Sequence, residues 1–159
     1  MRGCLMKRRV SGYEIAVFVV AVLVVFSLVS CGKQEKREEA KGDVTVVDLE
    51  PGESSLYSHE DIYEAMDEVL EHFEEEFPGC VLTNLVYDEE FSLKSAGEWA
   101  AKYGDDEAIV FLSGFDVESG GGNQTLKSGD TYRDWQWILT RDKGEDWELQ
   151  TCGYGIKPE

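Results

Sequence analysis

The fold turns on one stretch, residues 58–79, SHEDIYEAMDEVLEHFEEEFPG. Ile62, Met66, Val69, Leu70, Phe73 and Phe77 recur at steps of three and four, which gathers them into one stripe on a helix. Glu64, Asp67, Glu68, Glu71, Glu74 and Glu75 fill the opposite side. Ser58 is placed to cap the first turn, with Asp61 three residues on to reach back, and Pro78-Gly79 stops the helix. A helix with a single apolar stripe must lay it on another layer of structure.

That layer follows in the chain. Cys80 to Tyr87 is rich in β-branched and apolar residues and predicts a strand. After a connection over residues 88–91, Leu93, Ala96, Trp99, Ala100 and Tyr103 predict a short helix ending at Gly104. Between Ala108 and Phe115, Ile109, Phe111 and Phe115 alternate with Val110 and Leu112, the pattern of a strand buried on both faces in the middle of a sheet. Residues 116–131 turn polar and glycine-rich, a loop. Tyr132 to Arg141 predicts a strand with Trp135, Trp137 and Leu139 on one face, and residues 142–146 a tight hairpin connection to a last strand, Trp147 to Cys152. The class expected is α+β: a long amphipathic helix on an antiparallel sheet of about four strands.

A curved sheet wrapped on a leading helix is what cystatin-like and NTF2-like domains have. Residues 107–113 (EAIVFLS), 135–141 (WQWILTR) and 144–149 (GEDWEL) ahead of Gly153-Tyr154-Gly155 are similar to small secreted lipoproteins of Gram-positive bacteria with no assigned function. Their ending, an aromatic strand, a charged turn, then Trp-x-Leu and Gly-Tyr, resembles that of NTF2-like domains. The resemblance spans roughly residues 56 to 155, implies a cystatin/NTF2-like domain over 56–159, and carries no catalytic motif.

The start of the chain speaks to location. Arg2, Lys7, Arg8 and Arg9 precede an apolar run from Ile15 to Val29, the pattern of a secretory signal peptide over residues 1–30. The run falls short of the roughly 20 residues that cross a bilayer core. Leu28-Val29-Ser30-Cys31 resembles the lipobox of bacterial lipoproteins. The resemblance implies that the Cys31 thiol takes diacylglycerol and becomes the mature N-terminus, anchored at the extracytoplasmic face of a cell membrane by acyl chains worth about 0.8 kcal/mol per buried CH₂.

Residues 31–55 then read as the lipidated cysteine and a flexible tether. Lys33, Glu35, Lys36, Arg37, Glu38, Glu39 and Lys41 offer almost nothing to bury. Val44-Thr45-Val46-Val47 and Leu49 are either an edge strand or an apolar piece of tether, with the tether favoured. The whole chain carries 33 acidic and 15 basic residues, and loss of the leader leaves 32 against 11, a net charge of −21. Such a field repels phosphate backbones and excludes nucleic acid as a partner. Cys80 and Cys152 are left for one disulfide or for two buried free thiols.

Chemistry is sparse. His59 and His72 fall on the first helix among glutamates, where solvated histidines are expected. Asp116, Glu118 and Asp130 bracket Ser119-Gly120-Gly121-Gly122-Asn123, oxygen-rich but without an EF-hand order, so a mobile connection is expected and no metal or cofactor. Tyr132, Trp135 and Trp137 are the candidate ligand-binding residues, as aromatic walls of an NTF2-like cone, although the alternation of Trp135, Trp137 and Trp147 favours core packing. The expectation is a non-enzymatic, membrane-anchored module that binds a ligand or partner. The alternative is an NTF2-like enzyme with a cone carboxylate as general acid/base. A cone filled solid by Trp and Phe would leave surface interaction.

Overall fold

A computed structural model describes residues 41–118 and 126–159. Cys31, the leader before it, the first part of the tether and Ser119–Asn123 lie outside the described residues.

Ser58 opens α1 (His59–Glu76) with a capping box: its side chain accepts from the Asp61 backbone N–H while the Asp61 carboxylate accepts from the Ser58 N–H. The buried face of α1 is Ile62, Ala65, Met66, Val69 and Phe73, the predicted stripe with Ala65 added. It lies against a five-stranded sheet, with strands ordered β1 (Asp48–Glu50), β2 (Cys80–Tyr87), β3 (Glu107–Val117), β4 (Thr131–Arg141) and β5 (Glu148–Tyr154). Two short helices, α2 (Glu89–Leu93) and α3 (Ala96–Tyr103), connect β2 to β3. Asp88 caps α2 by accepting from the Phe91 N–H at 2.8 Å, so the expected plain connection is a helical turn.

The curved cystatin/NTF2-like sheet of about four strands is overturned. The sheet is open, with β1 and β5 at opposite edges, and it is mixed: β1 runs parallel to β2, while the other pairs are antiparallel. Its second face is covered too. Ala96, Trp99 and Ala100 of α3 pack on Ala108, Val110 and Ile138. A sheet wrapped around one helix needs a bare outer face, and here helices hold both sides, so no cone opens. The two-sided burial expected for β3 is what places it at the centre of the sheet.

Residues 41–55 belong to the fold rather than to a tether. Asp48, Leu49 and Glu50 pair with Asn84, Leu85 and Val86, and Asp43 bridges Val81. The Gly42 N–H donates to the Glu74 carbonyl at 2.8 Å, tying the segment to the end of α1.

The strands keep their apolar phase only through bulges. Leu82 opposes Phe115 and Asn84 opposes Gly114, so Thr83 is an extra residue in β2. Ser113 opposes Trp135 and Phe115 opposes Tyr132, so Arg133 and Asp134 together face Gly114 from the other side. Asp134 has φ 57°, the left-handed region that a short polar side chain tolerates. Gly114 fills the middle because a Cβ there would sit 2.5 Å from Asn84 Oδ1 and 3.1 Å from Thr83 Oγ1. With these insertions Leu82 and Leu85, three apart, both face α1, as do Tyr132 and Trp135.

Candidate functional site

Tyr132, Trp135 and Trp137 build core in place of a cone. Trp137 is fully buried, and its indole N–H donates to Ser113 Oγ at 2.8 Å. Tyr132 stacks on Phe115 at 4.8 Å, and Trp135 meets Phe115 and Phe77 edge-on at 5.4 and 6.0 Å. Phe73 of α1 and Phe77, which caps its end, close the cluster. These rings fill the interface between α1 and the sheet. His72 is half-buried and turns its ring edge toward Trp137 at 6.1 Å, whereas His59 is exposed.

The disulfide alternative fails on topology. Cys80 is on β2 and Cys152 on β5, with β3 and β4 between them, and both thiols are free. Three strand spacings of about 4.8 Å separate them by roughly 14 Å across the sheet alone, and Cys152 lies level with Tyr87 at the far end of β2 from Cys80, well beyond the reach of a disulfide. Burial pushes both thiols up. The Trp135 indole N–H pulls Cys152 the other way, although its approach falls short of hydrogen-bond geometry and leaves it unpaired.

Sequence reasoning missed a polar cluster at the start of α1. Arg141, at the end of β4, has a side chain only 10% exposed. Its Nε donates to Glu107 Oε2 at 2.8 Å and its Nη1 to Asp61 Oδ1 at 3.1 Å. The guanidinium lies 4.0 Å from the centre of the Trp147 ring, and Tyr57 meets Trp147 edge-on at 5.4 Å. The Ser58 hydroxyl, with Arg141 adding to it, holds Asp61 below the usual carboxylate range. Desolvation, with Glu107 and Tyr87 adding, pushes Tyr57 up to about 12, so its hydroxyl stays protonated and donates to the Ala108 carbonyl at 3.3 Å. The charged and hydroxyl groups are paired with one another, while the buried Trp147 indole N–H has no acceptor among the described residues and its ring serves as the face under the guanidinium. Together they form a clamp between helix and sheet. The apolar and charged residues that meet there come from four separate segments, and no local spacing in the sequence announces it.

Concave surface flanks α3. On one side a groove of about 490 Å³ runs between Leu56 and Tyr57, the start of α3, and Asp106–Ala108, with Leu56 59% and Leu93 48% exposed. On the other a cleft of about 380 Å³ lies between Trp99, Lys102 and Tyr103 and the C-terminal segment Gly155–Glu159. Among the described residues no group of three metal-ligating side chains converges, and no helix is long and apolar enough to cross a membrane.

No protein-family model, curated protein or solved structure matches the chain.

Proposed function

We propose that the protein is a membrane-anchored extracytoplasmic lipoprotein, lipidated on Cys31, whose domain is a non-enzymatic module binding a ligand or partner at its surface. The observation that carries the reading is the sequence itself: a basic start, an apolar run too short to span, then Leu28-Val29-Ser30-Cys31. Two acyl chains on one sulfur give stable attachment where one chain would give marginal binding. A surface role is supported by the packing of the interior, where the aromatic residues offered for a ligand are spent on one another, while the grooves beside α3 stay open. The resemblance to secreted lipoproteins of Gram-positive bacteria points to the same setting.

The test is Cys31→Ser in the intact chain, followed by membrane fractionation, radiolabelled palmitate incorporation and intact mass. The substitution is expected to abolish the label and to leave the protein unprocessed or released. Unchanged attachment with an unchanged mature mass refutes the reading.

A further inference from the structure

The cleft beside α3 concentrates positive charge on a strongly negative molecule. Lys102 and Lys157 both line it, against a single acidic lining residue, Glu159. In the chain as a whole acidic residues outnumber basic ones 33 to 15. The orientation of Lys102 is informative. Glu98 stands one helical turn before it, the spacing at which Glu90 and Lys94 pair at 3.4 Å. Among the described residues Lys102 makes no such pair. Its ammonium lies 5.0 Å from the centre of the Trp99 ring and 5.9 Å from that of Tyr103. Those rings stack at 6.2 Å with 17° between their planes and form one wall of the cleft.

The opposite wall is built by a turn that two glycines permit. Gly155 has φ 62°, a left-handed conformation costly for other residues. A Cβ on Gly153 would lie 2.9 Å from Ile156 Cγ2, so its absence lets Ile156 fold back onto the layer between α3 and the sheet. The turn carries Lys157 to the cleft. Packing explains Ile156, and leaves unexplained why two lysines without an ion pair among the described residues share one concavity with the exposed Tyr103 ring.

We propose that this cleft binds a small anionic ring compound, its carboxylate between Lys102 and Lys157 and its flat face on Tyr103 and Ile156. The volume is within the range of small-molecule sites. At physiological salt, charges beyond roughly 8 Å are screened, so a small anion in the cleft senses Lys102 and Lys157, with Glu159 and Glu98 the acidic groups beside them, and little of the more distant acidic surface. An anionic bilayer faces the whole domain and is repelled, which leaves a free small molecule as the ligand. The inference supplies a ligand class for the binding module proposed above. Its site does not involve Cys31, so the anchor and the cleft can fail separately.

The test uses the full chain in neutral detergent with benzoate as probe, and benzyl alcohol and benzylamine as neutral and cationic counterparts. The Trp99 indole N–H signal is followed by NMR. Benzoate is expected to shift it saturably with a Kd on the order of 1 mM, as a ligand of that size allows, and about tenfold more tightly than either counterpart. Lys102→Gln and Lys157→Gln, both at exposed positions that leave the packing intact, are each expected to weaken benzoate several-fold, and higher salt to weaken it further. Equal binding of the three probes, no saturable shift, or benzoate binding that survives both substitutions overturns the proposal.

Discussion

Replacing Arg141 with Met tests the clamp between helix and sheet. The substitution keeps an apolar stem over Trp147 and deletes the guanidinium, leaving Glu107 and Asp61 without their donor. Charge-assisted hydrogen bonds contribute about 1.5–3 kcal/mol each, and breaking a buried ion pair costs about 3–5 kcal/mol. The carboxylate side chains of Asp61 and Glu107 are 31% and 24% exposed and regain some hydration, which puts the loss at the low end, about 3 kcal/mol. Urea unfolding of the full chain in neutral detergent, followed by tryptophan fluorescence, reads it out. The pH dependence carries a sign. The Asp61 carboxyl is held low, first by Ser58 and then by Arg141, so its contribution is fully present above its unfolded pKa of about 3.9 and is lost as pH falls through the lower folded value. Arg141→Met removes only the Arg141 share, because the Ser58 hydrogen bonds remain. The gap between wild type and variant should therefore narrow from pH 7 toward pH 3. A loss under about 1 kcal/mol at neutral pH, or a gap unchanged at pH 3, refutes the reasoning.

Two further substitutions probe the core. Ser113→Ala strands the buried Trp137 N–H and is expected to cost about 1–3 kcal/mol in the same assay; a neutral result would mean that the indole finds another acceptor. Gly42→Ala places a Cβ 2.2 Å from the Phe73 carbonyl oxygen, where backbone must give way. It should cost about 1–3 kcal/mol and open residues 41–55 to limited proteolysis while α1 stays protected, and unchanged cleavage would argue that the segment is not docked.

Much of the fold was legible because its signals are local. Ser58 and Asp61 cap α1 as their spacing says, Pro78-Gly79 ends it, and Gly104 ends α3 at φ 87°. The two apolar faces of β3 pointed to a central strand. The same feature, read with the Ala96–Trp99–Ala100 stripe, carried the news that both sides of the sheet are covered, which excludes a cone. What stayed hidden is non-local. A three-residue parallel edge strand has no periodicity to read, and Val44 to Leu49 passed for tether because the strand that receives it lies more than thirty residues downstream. Alternation already fits Trp135 and Trp137 to the core, whereas Tyr132 could not be placed there, because it joins that face only through the insertion at Arg133–Asp134. The clamp at Arg141 and the cleft at Lys102 both depend on chain segments meeting, and composition alone predicted only the sign of the whole molecule.

The insertions on either side of Gly114 also decide how the chain can err while folding. Slipping a plain hairpin by two residues restores its inward and outward faces, so such a mistake is tolerated long enough to trap a molecule. Here β2 and β4 each change phase against β3 at one level only, matched to a single glycine. A two-residue slip would set Thr83 or Asp134 against a residue with a side chain, or, with the bulge pressed out, turn the apolar residues on one side of it to water. The sheet thus has one alignment that satisfies both halves, and misaligned intermediates should come apart before they persist.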